Sequence, residues 1–300
     1  MSSVLYDVPG PRAIARNRIL GVITVLVVLA ILGFIVWRLW DTGQFSAEKW
    51  DAFTYSNVWL QIALATGRTL AAFAVAAVGA LALGFALAIG RLSDHPWLRG
   101  PIGAVVEVLR AVPVLVFMFL LYYGLPVLGI RMEPFWAVVI ALIAYNGSVL
   151  AEVIRAGVES LPRGQSEAGY AIGLRKAAVM RLVLLPQAIR AMMPVIIAQL
   201  VVTLKDTALG YIITYQELLF YARYIGSQST YGSPIVPATI VVGAIYIALC
   251  LILSFVANRV ERRLRRTAKL GKGVAPADDA MTATRAVAVQ AGLDDPEPRR

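Results

Sequence analysis

The feature that most constrains this chain is a nearly uncharged apolar run at residues 19–40, which is long enough to cross a lipid bilayer. A secretory signal peptide is the alternative, because Arg12, Arg16 and Arg18 precede the run. The run is longer than the apolar region of a signal peptide, and it lacks an Ala-x-Ala-like cleavage site. The sequence therefore predicts a membrane-spanning segment that is retained.

Five further apolar runs of similar length follow, at residues 66–90, 102–125, 134–154, 187–214 and 235–258. Hydrophobic residues make up 59% of the chain and charged residues 15%, whereas a soluble domain is about half apolar and a quarter charged. Because lipid offers the backbone no hydrogen-bond partner, runs of this length are predicted to be α-helices. The predicted fold class is an all-α integral membrane protein with about six transmembrane helices.

Basic residues lie mainly before the first run and after the second, fourth and sixth runs, which is one side of a six-span chain. Cytoplasmic loops carry such an excess of lysine and arginine, so both termini are predicted to be cytoplasmic. The formal net charge of +10 follows from these loops, and no nucleic-acid partner is predicted. The polar segment after residue 269 is predicted to be disordered.

Residues that carry metal or nucleophile chemistry are scarce. The chain has one cysteine, Cys250, and one histidine, His95. An intrachain disulfide is therefore excluded, and no cluster of ligands suggests a metal site. A membrane-embedded enzyme lacks support for the same reason, since His95 has no evident nucleophile partner.

A polar segment between the fourth and fifth runs, residues 155–190, is predicted to form two helices joined by a turn. The first helix covers residues 166–172 and ends where Gly173 supplies the left-handed conformation of a helix C-terminus. The second helix covers residues 174–185, after which Pro186 permits a bend into the fifth span.

The physical role of this segment has two interpretations. The small residues Ala168, Gly169 and Ala171 would let the surface of another protein approach closely. Alternatively, the segment is an amphipathic helix that lies on the membrane surface. Amphipathicity alone does not decide between them, because it names no partner.

The same segment resembles the coupling loop of bacterial ABC importer permeases. That loop consists of Glu-Ala-Ala, three residues, Gly, nine residues, an aliphatic residue, one residue and Leu-Pro. In this chain Gly169 takes the place of the second alanine, and the matching residues are Glu167, Ala168, Gly173, Val183, Leu185 and Pro186. The resemblance implies that these residues couple the chain to an ATPase.

Two flanking stretches resemble polar amino acid permeases of the histidine, glutamine and glutamate type. Residues 107–113 resemble the signature Glu-x-x-Arg-Gly-Thr-Pro, with Ala111 and Val112 in place of Gly-Thr, and Phe117 stands where Gln is common. Residues 204–209 resemble the stretch Leu-Lys-Asp-Thr-Ser-Leu. These departures leave the substrate open.

The resemblance covers residues 62–260 and implies the five-helix core of a type I ABC importer permease there. It implies a cytoplasmic tail at residues 1–18, an extra helix and external loop at 19–61, and a basic, then disordered, tail at 261–300. The extra helix and the leader resemble those of actinobacterial glutamate permeases.

The partners of the chain are also implied by the resemblance. They are two ATP-binding subunits, a second permease subunit that is homologous or identical, an extracytoplasmic solute-binding protein and an amino acid substrate, assembled in the lipid bilayer of a bacterial cell membrane. The chain lacks a G-x-x-x-x-G-K-[ST] loop. It is therefore expected to bind no cofactor itself, and ATP and Mg²⁺ are expected to be used by the partner. The implied function is import of glutamate or a related polar amino acid by alternating access.

Ionisable residues inside membrane spans are rare and mark pathways or structural pairs. Glu107 and Arg110 share a helix face, and with Glu152 they are candidates for a gate or a structural pair. The candidate substrate pathway combines cationic, acidic and hydrogen-bonding side chains, which an amino acid requires: Arg110, Asn146, Lys205, Asp206 and Thr207. Arg68 is a further ionisable residue in a span.

Two patterns predict helix geometry. Small residues recur every fourth position along the second span, which permits close helix packing, at Ala72, Ala76, Ala80, Gly84 and Ala88. Pro113 lies within the third span, which it is predicted to kink or break.

An ion-coupled secondary transporter or channel is the alternative function. The segment 155–190 discriminates the two, because such a carrier has no need for the spacing from Glu167 to Pro186.

Overall fold

The computed structural model describes residues 10–269, with side chains for residues 10–262. The predicted disordered tail and part of the predicted N-terminal tail lie outside these residues. All the regular secondary structure in the described range is helical, which agrees with the predicted all-α class. The α-helices are α1 (Pro11–Asp41), α2 (Ala47–Trp50), α3 (Ser56–Arg91), α4 (Pro96–Ala111), α5 (Val114–Phe119), α6 (Pro134–Glu159), α7 (Arg163–Ala171), α8 (Lys176–Ala178), α9 (Leu185–Asp206), α10 (Leu218–Gly226) and α11 (Ile235–Lys269).

Five helical stretches among the described residues are long and apolar enough to cross a membrane. Four of them are α1, α3, α6 and α11, and the fifth is the stretch Lys176–Ile213, which contains α8 and α9. Helices α4 and α5 make a sixth if this bent pair counts as one span. The predicted number of about six is confirmed on that count, although α3 begins at Ser56 rather than at residue 66.

The third span is broken where the sequence predicts it. Helix α4 and the helical stretch Val114–Leu128, which begins with α5, meet at 95°, and Val112, the residue before Pro113, is extended with φ −81° and ψ 122°. A proline disfavours the helical conformation of the residue before it and has no N–H to donate. The break at Pro113 is therefore a direct result of the local sequence.

Residues 10–151 together with residues 200–251 form one compact unit. Within it, the small residues of α3 are buried, with Ala72, Ala76, Ala80 and Ala88 at 0% exposure. A methyl group added at Gly84 would lie 2.8 Å from Cβ of Leu150 in α6 and 2.9 Å from the carbonyl oxygen of Gly147. The prediction of close helix packing along this ridge is confirmed.

A cluster of buried apolar residues in this unit joins α3, α10, α11 and a short turn before α3. Val58, Ile62 and Ala65 on α3 pack with Leu218, Ala222 and Ile225 on α10 and with Ala238 and Val242 on α11. The polar stretch after α1 forms α2 and a 3-10 turn at Asp51–Thr54, and this turn adds Ala52 to the core. Helix α10 is thereby fixed against the first turns of α3.

Residues 152–199 and 252–269 form the second unit. It contains α7, α8 and the first part of α9. The boundaries between the units fall inside α6, α9 and α11. Helix α1, by contrast, contributes no buried residue to the chain.

Candidate functional site

The segment that the sequence singles out forms a helix and a tight turn in the second unit. Helix α7 ends at Ala171, and Gly173 adopts the left-handed conformation with φ +81°. The N–H of Leu174 donates to the carbonyl of Gly169 at 3.1 Å, and the N–H of Gly173 donates to that of Tyr170 at 2.9 Å. This pair of bonds is the glycine-dependent helix ending expected at Gly173.

The residues of α7 divide between two faces. Glu167 and Ala168 are exposed, and Ile172 just beyond the helix is 77% exposed. Gly169 is buried instead, because a methyl group there would lie 2.8 Å from Cγ2 of Val179. Gly169 therefore packs against Val179 of the same chain, whereas Ala168 and Ala171, the other small residues of this helix, are exposed.

Pro186 is the second residue of α9 and lies inside a longer helical stretch. The helical stretch continues from Lys176 to Ile213, and a π-helical turn at Val179–Leu184 lies directly before Leu185. A proline removes one backbone bond and crowds the preceding turn, and a widened π turn in this position relieves that crowding. Leu185 is buried at 8% exposure. It therefore belongs to the base of the segment, away from its exposed tip.

A polar contact also ties α7 to α9. The side-chain amide of Gln187 donates to Oε1 of Gln165 at 3.1 Å and to the carbonyl of Val183 at 3.0 Å. Together with the contact between Gly169 and Val179, this bond fixes α7 on the helix that follows it.

The predicted gate residues do not form the pair that their spacing allows. Glu107 and Arg110 are both exposed on α4, and no ion pair joins them within the described part of the chain. Glu152 bonds instead to Arg155 on the next turn of α6, with Nη2 to Oε1 at 2.5 Å, and Arg155 also contacts Glu159.

The five predicted pathway residues differ in exposure. Asn146 and Thr207 are fully buried. The amide of Asn146 donates to the carbonyl of Leu142 at 3.0 Å, and the hydroxyl of Thr207 donates to that of Leu204 at 2.7 Å. Asp206 is partly buried, whereas Arg110 and Lys205 are exposed. None of the five lines the two cavities described below.

A buried acid that the sequence analysis missed caps α10. Glu217 has 0% exposure, and its carboxylate accepts the backbone N–H groups of Leu219 at 2.8 Å and Phe220 at 2.7 Å. The hydroxyl of Tyr246 on α11 donates to the same carboxylate at 2.6 Å. Burial raises the pKa of Glu217 to about 7, and these three bonds oppose that rise. The sequence feature that could have indicated this cap is a single acidic residue immediately before an apolar helix.

The chain before α10 is fastened to α3 by two hydrogen bonds. The hydroxyl of Tyr215 donates to the carbonyl of Arg68 at 2.7 Å, and the N–H of Leu218 donates to the hydroxyl oxygen of Thr69 at 3.1 Å. Burial raises the pKa of Tyr215 from 10.0 to about 12. Residues 215–218 are thus held at a fixed position on α3.

Between these anchors, Arg68 extends toward Gln216. Its Nη1 donates to Oε1 of Gln216 at 2.9 Å and to the backbone carbonyl of Gln216 at 3.3 Å. Both residues line a cavity of about 500 Å³ between α3 and α10. They also line a second, more open cavity of about 560 Å³ that includes Glu133 and Phe135.

Comparisons with known proteins identify the family. Residues 80–266 match the family described as the binding-protein-dependent transport system inner membrane component. The chain is 40% identical over 227 residues to the glutamate transport system permease protein of Corynebacterium glutamicum, covering 74% of this chain and 82% of the relative. It is 31% identical over 219 residues to the glutamine transport system permease protein of Escherichia coli K12, covering 71% and 98%.

Solved structures agree with this match. A crystal structure of an amino acid ABC transporter with histidines has a TM-score of 0.64 and 29% identity, covering 70% of this chain and 97% of that one. An inward-facing methionine ABC transporter has a TM-score of 0.61 at 17% identity, covering 70% and 99%, and shows the fold alone. The family match spans more than half of the sequence, so the chain belongs to the membrane-embedded permease subunits of binding-protein-dependent ABC transporters and is a transport subunit rather than an enzyme.

Proposed function

We propose that the chain imports glutamate or a related polar amino acid. The relatives are named for glutamate, glutamine and arginine transport, which favours this class of substrate. The glutamate permease of C. glutamicum, at 40% identity over 227 residues, supports glutamate. The single observation that supports coupling to an ATP-binding subunit is the geometry of α7, which exposes Glu167 at the motif position and packs against the helix that follows it.

The mechanism follows from how α7 is held. The exposed Glu167 and Ala168 dock on an ATP-binding subunit, and the contacts of Gly169 and Gln165 transmit the movement of that subunit to the start of α9. Packed helices respond to such a displacement as rigid elements that rock between two arrangements. ATP binding by the partner thereby drives alternating access in the permease, while this chain takes no part in hydrolysis.

The assembly contains two ATP-binding subunits, a second permease subunit that is homologous or identical, and an extracytoplasmic solute-binding protein. ATP and Mg²⁺ are used by the ATP-binding subunits. The excess of basic residues in the loops on one side of the membrane supports a cytoplasmic position for α7 and both termini in a bacterial cell. The core permease covers residues 62–260, and the helix before it is an addition to that core.

The pathway residues divide by exposure. Arg110 and Lys205 are exposed in the single chain and are available to a substrate carboxylate. Asp206 is available to its ammonium group. Asn146 and Thr207 are fully buried, so they hold the helices that surround the pathway.

The test is the ATPase activity of the purified chain reconstituted with its candidate ATP-binding subunit, with and without solute-binding protein and glutamate. Stimulation by the loaded binding protein supports import of glutamate. Stimulation with another amino acid alone keeps the mechanism and changes the substrate. Uptake that needs no ATPase, and that collapses when ion gradients are dissipated, refutes the proposal in favour of an ion-coupled carrier.

A further inference from the structure

The cavity between α3 and α10 is polar on both of its walls. The wall from α3 carries Asn57, Gln61 and Arg68, which share one helix face at intervals of four and seven residues. The wall from α10 and the residues after it carries Tyr221, Tyr224 and Gln228, at intervals of three and four. Apolar residues of the same helices, Val58 and Ala65 on α3 and Ile225 on α10, also line the cavity where it borders the apolar core. Each helix thus adds a polar stripe to the cavity beside the apolar face that it packs into the core.

Arg68 is the charged group of this cavity. Its recorded partners are the side-chain and backbone oxygens of Gln216, which are neutral. Within residues 10–262, no carboxylate lies within ion-pair distance of its guanidinium. A guanidinium has five N–H donors in a planar fork that matches a carboxylate. Arg68 therefore has both charge and donors available for an anion.

The anchors around Arg68 limit its freedom. Gln216 lies between two hydrogen bonds to α3, one from Tyr215 to the carbonyl of Arg68 and one from the N–H of Leu218 to Thr69. The carboxylate of Glu217 also caps the start of α10. The side chain of Gln216 thus holds Arg68 at the partition between the two cavities, because both residues line both spaces. Such prior positioning lowers the entropy cost of binding an anion there.

We propose that this cavity is an entry site in which Arg68 binds the carboxylate of the amino acid before it passes the partition. The proposal rests on the proposed function, since it places the site on the extracytoplasmic side of the permease. The remaining wall suits an ammonium group, with amide oxygens and with the stacked rings of Tyr221 and Tyr224, whose centroids are 6.1 Å apart.

The charge of the cavity selects among amino acids. Its walls carry one cation and no acidic side chain among the residues that line it. An acidic or neutral amino acid gains from Arg68, whereas the second positive charge of lysine or arginine is repelled. The volume of about 500 Å³ lies within the usual range of small-molecule sites, about 300–1,000 Å³.

The direct test measures binding of radiolabelled glutamate to the purified permease in nanodiscs, without ATPase or binding protein. We expect Arg68→Gln to weaken binding about tenfold or more, which is the usual effect of losing a charge-assisted hydrogen bond. Arg68→Lys should restore part of it. Arg223→Gln is the matched control, because Arg223 lies on α10 but does not line the cavity.

Competition on the wild-type protein gives a second readout that needs no variant to fold. Unlabelled glutamate and glutamine should displace the label, and lysine and arginine should not. Wild-type affinity in Arg68→Gln, equal loss in Arg223→Gln, or displacement by arginine as strong as by glutamate would each overturn the site.

Uptake by the full complex in proteoliposomes separates the two proposals. Glutamate binding that depends on Arg68 supports the site even if no ATP-driven uptake is found, in which case the importer function fails alone. Normal ATP-driven uptake by Arg68→Gln, at unchanged rate and selectivity, retains the function and removes the site.

Discussion

Replacing Glu217 by alanine tests the buried capping network at its centre. The change removes the acceptor of two backbone N–H groups at the start of α10 and of the Tyr246 hydroxyl. Loss of a helix cap costs about 1 kcal/mol, and loss of the hydrogen bond from the partly buried Tyr246 hydroxyl costs about 1 kcal/mol more. The free energy of unfolding should therefore fall by roughly 2 kcal/mol.

The assay is thermal unfolding of the purified chain in detergent at pH 6, followed by tryptophan fluorescence. A loss of this size corresponds to a fall in Tm of roughly 3–4 °C for a chain of this length. Glu48→Ala is the matched control, since Glu48 is exposed on α2, and it should change stability by less than about 0.5 kcal/mol.

A double-mutant cycle separates the hydrogen bond from the loss of volume. Tyr246→Phe alone should cost about 1 kcal/mol, and combining it with Glu217→Ala should cost less than the sum of the two. If Glu217→Ala unfolds within a degree of the wild type, or if the two changes are additive, the network does not stabilise α10.

The remaining predictions concern pH, coupling and the pathway. Burial raises the pKa of Glu217 to about 7 from 4.5, so the folded state binds this proton more tightly. The contribution of this proton to the free energy of unfolding is complete below pH 4.5 and is lost as the pH rises through about 7. Tm measured across this interval should therefore fall in the wild type and change less in Glu217→Gln. Gly169→Ala places a methyl group 2.8 Å from Val179 and should lower coupled ATPase activity, with partial rescue by Val179→Ala. The control is Gly164→Ala on the same helix, where an added methyl group meets nothing within 4 Å. Equal effects of the two alanine substitutions would contradict the packing argument. Glu167→Arg should abolish ATP-driven uptake while the chain still inserts, Glu48→Arg should not, and intact uptake in Glu167→Arg would remove the coupling role. Arg110→Glu should alter uptake or folding, and normal expression with normal affinity would exclude Arg110 from the site.

The spans, the break at Pro113 and the turn at Gly173 were predictable because each depends on local sequence. Hydropathy is summed over neighbouring residues, and proline and glycine act on the backbone at their own positions. The small-residue ridge of α3 was predictable for a similar reason, since a repeat of four residues falls on one helix face.

The side-chain contacts were less predictable because they depend on how each helix is rotated against its neighbours. Spacing placed Glu107 and Arg110 on one face, but it did not show that the face is exposed. Glu217 was missed because its burial comes from Tyr246, 29 residues away, and from a chain segment fastened to Thr69, about 150 residues away. Gly169 likewise is buried because Val179 packs against it, and Val179 comes after the turn at Gly173.

Helix α1 has a consequence for how the protein responds to bilayer thickness. Its 31 residues include no buried side chain, so packing among the described residues does little to set its inclination. A helix of this length extends about 45 Å, whereas the hydrocarbon core is about 30 Å thick. Its tilt is then set by hydrophobic mismatch and by its flanking Arg38 and Trp40. We expect α1 to tilt more in thinner membranes while the core helices keep their packing.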